Sequence, residues 1–310
     1  MPRIAYLFPG QGSQTVGMGK DLFDRSPEAR ELFERADRIL GYGLSRLSFE
    51  GPEEELRLTR NTQPALLVVS TAAGLLLGRD PVVAAGHSLG EYSALVAAGA
   101  LSFEDAVLLV HKRGCYMQEA VPVGTGAMAA VLGVPGAEIE RYLAGFSAGV
   151  VEIANWNGED QIVIAGEKKA VEEALAGLKP PRSVMLPVSA PFHTRLMRPA
   201  EDRLAADLDA VAFGDPRFPV VCNVDARPVL TGAEARDALK RQVSRPVLWT
   251  KSMDVLKGLE LDACVEVGAG KVLSGLLKRI SRGWPKSPAL LNVENGESLE
   301  RTRTALSGPL

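Results

Sequence analysis

The sequence predicts an α/β fold, in which a large domain with a mainly parallel sheet is interrupted by a smaller inserted subdomain. Short apolar runs alternate with amphipathic stretches over most of the 310 residues. Between residues 126 and 189 this alternation changes to the order strand, helix, strand, strand, helix, strand. The βαββαβ order is typical of a ferredoxin-like arrangement. We therefore expect a large domain from residues 1–125 and 190–310, and a ferredoxin-like subdomain from residues 126–189.

Short apolar runs that are bounded by turn residues are predicted as the strands of the large domain. They cover residues 4–8, 82–85, 220–224, 263–267 and 289–293. Stretches with apolar residues at every third or fourth position are predicted as its helices. These cover residues 27–40, 64–77, 91–98, 103–117, 195–208, 233–242, 250–258 and 271–281. In the subdomain the same criteria predict strands at 128–134, 150–154, 161–165 and 183–188, and helices at 137–144 and 168–178.

Composition and charge exclude several classes of protein. The chain is 46% hydrophobic and 24% charged, which is typical of a globular protein with a large buried core. Its Lys and Arg residues number 35 against 38 Asp and Glu, so the net charge is −3. The basic excess that binding to a phosphate backbone requires is missing. Nucleic acid is therefore not an expected partner.

The cysteines and the apolar stretches indicate where such a chain works. Cys115, Cys222 and Cys264 lie far apart and form no C-x-x-C pair, so we expect neither a disulfide framework nor a zinc site. We also expect no cofactor. The longest uncharged stretches, 61–78 and 120–137, are broken by polar residues, proline or glycine. The first ten residues lack the apolar segment of a signal peptide. We expect a monomeric cytoplasmic protein without membrane contact.

The motif Gly86-His87-Ser88-Leu89-Gly90 lies between a predicted strand and a predicted helix. Strand, sharp turn and helix are the context of a nucleophile elbow, which makes the large domain α/β-hydrolase-like. Flanking glycines suit this turn because close packing leaves no room for a Cβ atom. The positive end of the following helix favours negative charge at the serine hydroxyl. A turn with only a structural role remains the alternative.

A serine hydroxyl needs a neighbouring base before it can act as a nucleophile. The chain has three histidines to choose from. His193 lies in a turn just after the predicted subdomain, and catalytic groups often lie on loops held by rigid elements. His87 adjoins the serine, but its side chain is expected to point elsewhere, and His111 is expected to be solvated or locally hydrogen-bonded. His193 is the favoured base and His87 the alternative.

Seven motifs, in order between residue 6 and about residue 280, together resemble the malonyl-CoA:acyl carrier protein transacylases of fatty-acid synthesis. They are Pro9-Gly10-Gln11-Gly12-Ser13-Gln14, the elbow through Glu91, Lys112-Arg113-Gly114 with Met117-Gln118, Asn155-Trp156-Asn157, Phe192-His193-Thr194, Arg241-Gln242 with Pro246-Val247 and Trp249, and Glu266-Val267-Gly268 through Leu273. Seven collinear motifs are far more specific than any one of them.

This resemblance implies that Ser88 is the acylated nucleophile and that His193 is its general base. It implies that the backbone N–H groups of Gln11 and Leu89 form the oxyanion hole, as elbow geometry also expects for the residue after the nucleophile. Arg113 would hold the malonyl carboxylate, a role that suits a planar guanidinium that stays charged. Without the resemblance, Arg113 would be interpreted as a surface charge on a helix.

Further residues take their expected roles from the same resemblance. In the family a backbone carbonyl near Gln242 orients the histidine in place of a triad acid, and the Gln242 side chain lines the acyl pocket. This fits the sequence, because no Asp or Glu stands at an obvious strand end between Ser88 and His193. Asn157 and Phe192 are also expected to contact substrate, and Phe192 resembles the bulky residue of malonyl-selective relatives.

The implied reaction moves a malonyl group from malonyl-CoA to the phosphopantetheine thiol of acyl carrier protein through a malonyl-serine ester. A serine esterase or thioesterase is the first alternative, since it would share the elbow and the histidine. A non-catalytic subunit that binds acyl carrier protein is the second. Because acyl carrier protein is acidic, docking would need a local basic patch, although solvated surface charge is the other interpretation of each candidate. The candidates are Lys168, Lys169, Lys179, Arg182, Arg195, Arg198, Lys278, Arg279 and Arg282.

Overall fold

The computed structural model describes residues 2–122, 124–188 and 190–308, which form two sheets and the helices that cover them. The strands are β1 (Ile4–Phe8), β2 (Val83–Gly86), β3 (Gly126–Leu132), β4 (Val151–Trp156), β5 (Gln161–Glu167), β6 (Arg182–Met185), β7 (Val220–Val221), β8 (Pro228–Val229), β9 (Ala263–Val267) and β10 (Ala289–Val293). The helices are α1 (Lys20–Arg25), α2 (Pro27–Leu40), α3 (Leu44–Glu50), α4 (Glu53–Leu56), α5 (Thr59–Leu77), α6 (Gly90–Ala97), α7 (Phe103–Glu119), α8 (Gly136–Ala144), α9 (Lys168–Leu178), α10 (Arg198–Asp209), α11 (Gly232–Gln242), α12 (Trp249–Lys257), α13 (Val272–Ile280) and α14 (Gly296–Ser307).

The larger sheet has six strands in the order β10-β9-β1-β2-β7-β8. All neighbours in it are parallel except β7 and β8. Every residue of β1 and β9 is buried, as expected where helices cover both faces of a parallel sheet. Because β1, β2 and β7 run in the same direction, their carboxyl ends meet at one edge of this sheet.

The smaller sheet has the order β4-β5-β3-β6, and all of its neighbours are antiparallel. Helices α8 and α9 pack on one of its faces. Its other face contributes Met128 and Val163 to the main core, which also contains residues of β1 and α5. Val247, which precedes α12 in the larger part of the molecule (the part with the six-stranded sheet), is hydrogen-bonded to β4 of the inserted part (the part with the smaller sheet). Its N–H donates to Ala154 O and its carbonyl accepts from Trp156 N, both at 2.9 Å. The predicted combination of a mainly parallel sheet with a separate inserted sheet is therefore confirmed.

Helix α5 begins at Thr59, five residues earlier than predicted. Pro64 suggested a helix start because proline is tolerated in the first turn, but it lies inside the helix. Proline has no N–H to donate to Arg60 O, and that carbonyl instead accepts a hydrogen bond from His111 Nδ1 at 3.0 Å. His111 is thus locally hydrogen-bonded, as expected.

Helices α1, α3, α4 and α14 and the strand β8 were not predicted. The first three helices have only four to seven residues each, too few to show a period. In α14 the buried face is reduced to a narrow stripe that includes Leu299, Thr302 and Leu306. The predicted strands at 220–224 and 183–188 are shorter than expected, and Ser189, at the predicted boundary, lies outside the described residues. None of the described helices is both long and apolar enough to cross a membrane.

Candidate active site

Ser88 lies in a sharp turn between the end of β2 at Gly86 and the start of α6 at Gly90. Its φ of +51° is in the left-handed region, which residues other than glycine rarely adopt. A Cβ atom on Gly86 would lie 1.9 Å from the carbonyl carbon of Gly90, and one on Gly90 would lie 2.0 Å from Phe8 O. The expected steric reason for both glycines of the motif is therefore confirmed.

We expect Gly90→Ala to destabilise the fold by about 3 kcal/mol, because the new methyl group would collide with a backbone carbonyl that β1 cannot move. Gly275→Ala is the matched control, since Gly275 is also helical and its Cβ would meet nothing within 4 Å. The control should be neutral or more stable by up to about 1 kcal/mol. Chemical unfolding measures both, and equal stability of the two variants would contradict the steric argument.

His193 is placed with one ring nitrogen on Ser88 and the other on a backbone carbonyl. Ser88 Oγ lies 2.8 Å from His193 Nε2, and His193 Nδ1 lies 3.0 Å from Gln242 O. Because a carbonyl can only accept, Nδ1 carries the proton and Nε2 presents its lone pair to the serine hydroxyl. Burial, assisted by the charge of Arg113, lowers the pKa of His193 to about 3. The imidazole is therefore neutral and able to accept a proton at physiological pH.

Arg113 is buried, with 2% of its surface exposed. The interpretation of Arg113 without the resemblance, as a surface charge on a helix, is therefore wrong. Its Nη2 donates to Ser88 Oγ at 3.1 Å and to Gln242 Oε1 at 2.9 Å, while Nη1 donates to Gln63 Oε1 at 2.7 Å. No carboxylate lies within 4.0 Å of its guanidinium in the described part of the chain. Arg113 is a desolvated cation held by neutral amides beside the serine, and it retains the capacity to bind a carboxylate.

Gln242 and Asn223 link the elbow to the surrounding elements. Gln242 Nε2 donates to Ser88 O at 3.0 Å and to Glu91 Oε2 at 2.8 Å. Asn223 Oδ1 accepts from Ser88 N at 2.6 Å, and Asn223 Nδ2 donates to Gly86 O at 2.6 Å. The backbone N–H of Asn223 also donates to Glu91 Oε2 at 2.9 Å. The buried side chains of Gln242 and Asn223 therefore hold the backbone of the turn at Gly86 and Ser88, and Glu91 supports both of them.

Gln11 and Leu89, whose backbone N–H groups are the predicted oxyanion donors, line the same cavity as Ser88. The Gln11 loop follows β1, and Gln11 Nε2 donates to Thr59 Oγ1 at 3.0 Å. Neither backbone N–H donates to another backbone carbonyl within the described residues. Both backbone N–H groups are therefore free of a backbone acceptor in the described part of the chain, as the predicted role requires.

The cavity at Ser88 has a volume of about 90 Å³ and lies where the two parts of the molecule meet. Its walls include Arg113 and His193 from the larger part, Met128 and Leu186 from the inserted part, and Phe192. Asn157, which was also expected to contact substrate, is not in this wall. Its Oδ1 lies 2.8 Å from His87 Nε2, and it borders a neighbouring groove. The cavity therefore places the Ser88 hydroxyl beside both charged or basic groups and the apolar side chains of the inserted part.

Sequence reasoning did not single out Gln63, Asn223 or Glu91 for the site. A signal existed for Asn223, which follows β7 at the carboxyl edge of the parallel sheet, where sites form in such folds. Glu91 directly follows the elbow motif, but no role was predicted for it. Gln63 gave no signal, because it lies in an apolar helix.

Comparison with known proteins agrees with this geometry. The model of the acyl transferase domain family matches residues 5–286. A malonyl CoA-acyl carrier protein transacylase of Escherichia coli (strain K12) is 49% identical over 288 residues, covering 90% of this chain and 93% of that protein. The chain belongs to the malonyl-CoA:acyl carrier protein transacylase family.

Solved structures of transacylases have the same fold. The malonyl CoA-acyl carrier protein transacylase of Coxiella burnetii superposes with a TM-score of 0.95 at 42% identity, covering 99% of each chain. A malonyl-transacylase solved in complex with a type II PKS acyl-carrier protein superposes with a TM-score of 0.93 at 42% identity, covering 98% of this chain and 99% of that one.

Proposed function

We propose that this transacylase transfers the malonyl group of malonyl-CoA to the phosphopantetheine thiol of acyl carrier protein, in fatty-acid synthesis, through a malonyl ester on Ser88. One observation carries the proposal: Ser88 Oγ lies within hydrogen-bond distance of both the neutral base His193 and the buried cation Arg113. A malonyl group needs this pair, since its reacting carbonyl and its carboxylate are separated by a single methylene group. The curated relatives named as malonyl-CoA transacylases support the substrate.

In the first half of the reaction Ser88 Oγ attacks the thioester carbonyl carbon while its proton passes to His193 Nε2. The amides of Gln11 and Leu89 donate to the resulting oxyanion, and each donor lowers the barrier by about 3 kcal/mol. Arg113 pairs with the malonyl carboxylate. The intermediate collapses, the C–S bond breaks, and the leaving sulfur takes the proton from His193. Gln242 O stabilises the transient imidazolium by accepting from Nδ1.

The second half reverses these steps with a different thiol. The phosphopantetheine thiol gives its proton to His193 and attacks the ester, and Ser88 recovers that proton as the thioester forms. Every step uses only protein groups and the two thioester partners. Acyl carrier protein is acidic, so the basic candidates near the junction of the two parts are proposed as its docking surface. Two of them are already paired, Arg195 with Glu152 at 2.7 Å and Arg198 with Glu201 at 3.1 Å.

The finer description of the fold belongs to the same proposal. We propose an α/β-hydrolase-like domain of residues 1–125 and 190–310 and a ferredoxin-like subdomain of residues 126–189. The elbow at Ser88 and the order β4-β5-β3-β6 support it, because that order places the first and third subdomain strands at the centre. A cytoplasmic location is also proposed, supported by three cysteines that are all free.

We expect the rate of Ser88 acylation not to fall as the pH is lowered from 7.5 to 5. The active form of His193 is neutral, and it stays neutral until the pH approaches its lowered pKa of about 3. A histidine at its ordinary pKa of about 6.5 would instead lose roughly tenfold in rate by pH 5.5. Rapid-quench acylation with labelled malonyl-CoA, in the absence of carrier protein, measures this. An acid limb centred near pH 6.5 would contradict a buried neutral base.

The function itself is tested by adding the two substrates in sequence. Radiolabelled malonyl-CoA alone should leave one labelled malonyl group on Ser88, and subsequent addition of holo acyl carrier protein should move the label to the carrier. Release of free malonate in preference to transfer would favour the esterase or thioesterase alternative. Absence of any adduct on Ser88 would favour the non-catalytic subunit.

A further inference from the structure

Glu91 is a carboxylate inside the core that the proposed mechanism does not use. It lies one residue after the elbow glycine, in the first turn of α6, and only 1% of its surface is exposed. Its Oε2 accepts two hydrogen bonds, from Asn223 N at 2.9 Å and from Gln242 Nε2 at 2.8 Å. Both donors are neutral. A buried carboxylate normally has a cationic partner in contact, and Glu91 has none within 4.0 Å in the described part of the chain.

Arg113 presents the opposite case, since it is a buried guanidinium without a carboxylate in contact. Gln242 stands between the two charges. Its Oε1 accepts from Arg113 Nη2 at 2.9 Å, while its Nε2 donates to Glu91 Oε2 at 2.8 Å. The amide dipole of Gln242 is thus aligned from one charge to the other, and the pair is joined through a single side chain.

The other ionisable groups around Glu91 do not provide a better partner. Tyr92 adjoins it on α6, and Cys222 lies beyond β7, and neither carries a charge at neutral pH because burial raises the pKa of each. Asp225, after β7, repels the charge of Glu91, although Arg241 holds it at 2.7 Å. Burial raises the pKa of Glu91 to about 7, against the favourable effects of its two hydrogen bonds and Arg113.

We propose that Glu91 is the proton-accepting charge partner of the carboxylate pocket. Its carboxylate offsets the charge of Arg113 before substrate binds, and it takes up one proton from solvent when the carboxylate of an acyl group pairs with Arg113. The step balances as one carboxylate and one proton giving one carboxylic acid. Glu91 is a positioning residue, because it acts on substrate through Gln242 and Arg113. This inference rests on the proposed function.

The physical reason is charge balance in a desolvated site. With Glu91 ionised, a bound malonyl carboxylate would give the region two negative charges and one positive charge, and like charges at short range in a poorly solvated site are costly. Protonation of Glu91 restores neutrality. An acetyl group has no carboxylate and leaves the balance unchanged. Glu91 should therefore affect the choice between acyl groups, and it should do so in a pH-dependent way.

The test compares two acyl donors across the titration of Glu91. For the unmodified chain, the ratio of the acylation rate constants (kcat/KM) for malonyl-CoA and acetyl-CoA should fall about tenfold between pH 6 and pH 8, because the fraction of neutral Glu91 falls from ~0.9 to ~0.1. Taking the ratio cancels ionisations common to both donors, including those of His193 and CoA. Glu91→Gln, an uncharged isostere, should keep the ratio constant at the value the unmodified chain has at pH 6.

A ratio that is independent of pH in the unmodified chain would overturn the proposal, as would a slope retained in Glu91→Gln. If Glu91→Gln lowered the acylation rate constants for both donors equally at every pH, this would also overturn the proposal, because it would indicate a purely structural role for Glu91. If Glu91→Gln fails to fold, proton uptake in the unmodified chain decides. In weak buffer at pH 7, an indicator dye should report the uptake of about 0.5 more proton per Ser88 when the donor is malonyl-CoA than when it is acetyl-CoA. Failure of the proposed function is distinct, because malonyl-CoA would then form no adduct on Ser88.

Discussion

Ser88→Ala is expected to acquire no labelled malonyl group and to transfer malonyl groups at least ~10³-fold more slowly than the unmodified chain. The variant lacks the hydroxyl oxygen that lies within hydrogen-bond distance of both His193 and Arg113. The amides of Gln11 and Leu89 and the arginine remain, so binding of malonyl-CoA should persist while covalent chemistry stops. Intact-protein mass spectrometry measures the adduct, and a thiol-release assay measures the rate.

Ser93→Ala is the matched control for this substitution. Ser93 lies on α6, one turn after the elbow, and is buried with no hydrogen-bond partner for its hydroxyl among the described residues. Its removal should leave the adduct and the rate unchanged and should not destabilise the fold. Malonyl transfer at an undiminished rate by Ser88→Ala would eliminate the ester intermediate, whatever the control shows.

Arg113→Ala should lose malonyl transfer by about 10²- to 10³-fold and gain acetyl transfer relative to it. The estimate follows from two charge-assisted hydrogen bonds to the substrate carboxylate, together worth about 3–4 kcal/mol. The rate of acetyl transfer should not fall, because an acetyl group has no carboxylate that could pair with Arg113. In the variant, binding of acetyl-CoA also no longer leaves a buried guanidinium without a partner. Acylation rates for both donors, measured on the same preparation, give the change in selectivity.

Two further variants separate charge from geometry at this position. Arg113→Lys keeps the charge but loses the planar fork, so it should retain some preference for malonyl-CoA at a reduced rate. Lys112→Ala removes the adjacent cation, which is exposed and pairs with Asp207 at 2.5 Å, and should change neither rate. An unchanged preference for malonyl-CoA in Arg113→Ala would remove Arg113 from the carboxylate pocket.

Some parts of this fold were predictable because their cause is local. Alternation of apolar runs with amphipathic stretches identified the strands of the parallel sheet and the inserted βαββαβ segment, since burial imposes those periods directly on the sequence. Helix α14 was not predicted because tertiary contacts bury only a narrow stripe of a polar segment. Pro64 misled the prediction of the start of α5 because its missing hydrogen bond is compensated by His111, which lies on another helix.

The sequence by itself determined the elbow at Ser88, its two glycines, and, through the resemblance, the small set of side chains that the fold then places around the serine. The resemblance also implied that a backbone carbonyl near Gln242 orients His193, and Gln242 O lies 3.0 Å from His193 Nδ1. Only the tertiary structure decided that Arg113 is buried and that Glu91 and Asn223 support the turn. Ser88 and Asn223 are 135 residues apart, and Glu91 and Gln242 are 151 apart. Their contacts depend on the order of strands in the parallel sheet and on the packing of α6, α7 and α11 around its carboxyl edge. No local pattern encodes that order, because each strand has the same apolar signature wherever it lies in the sheet.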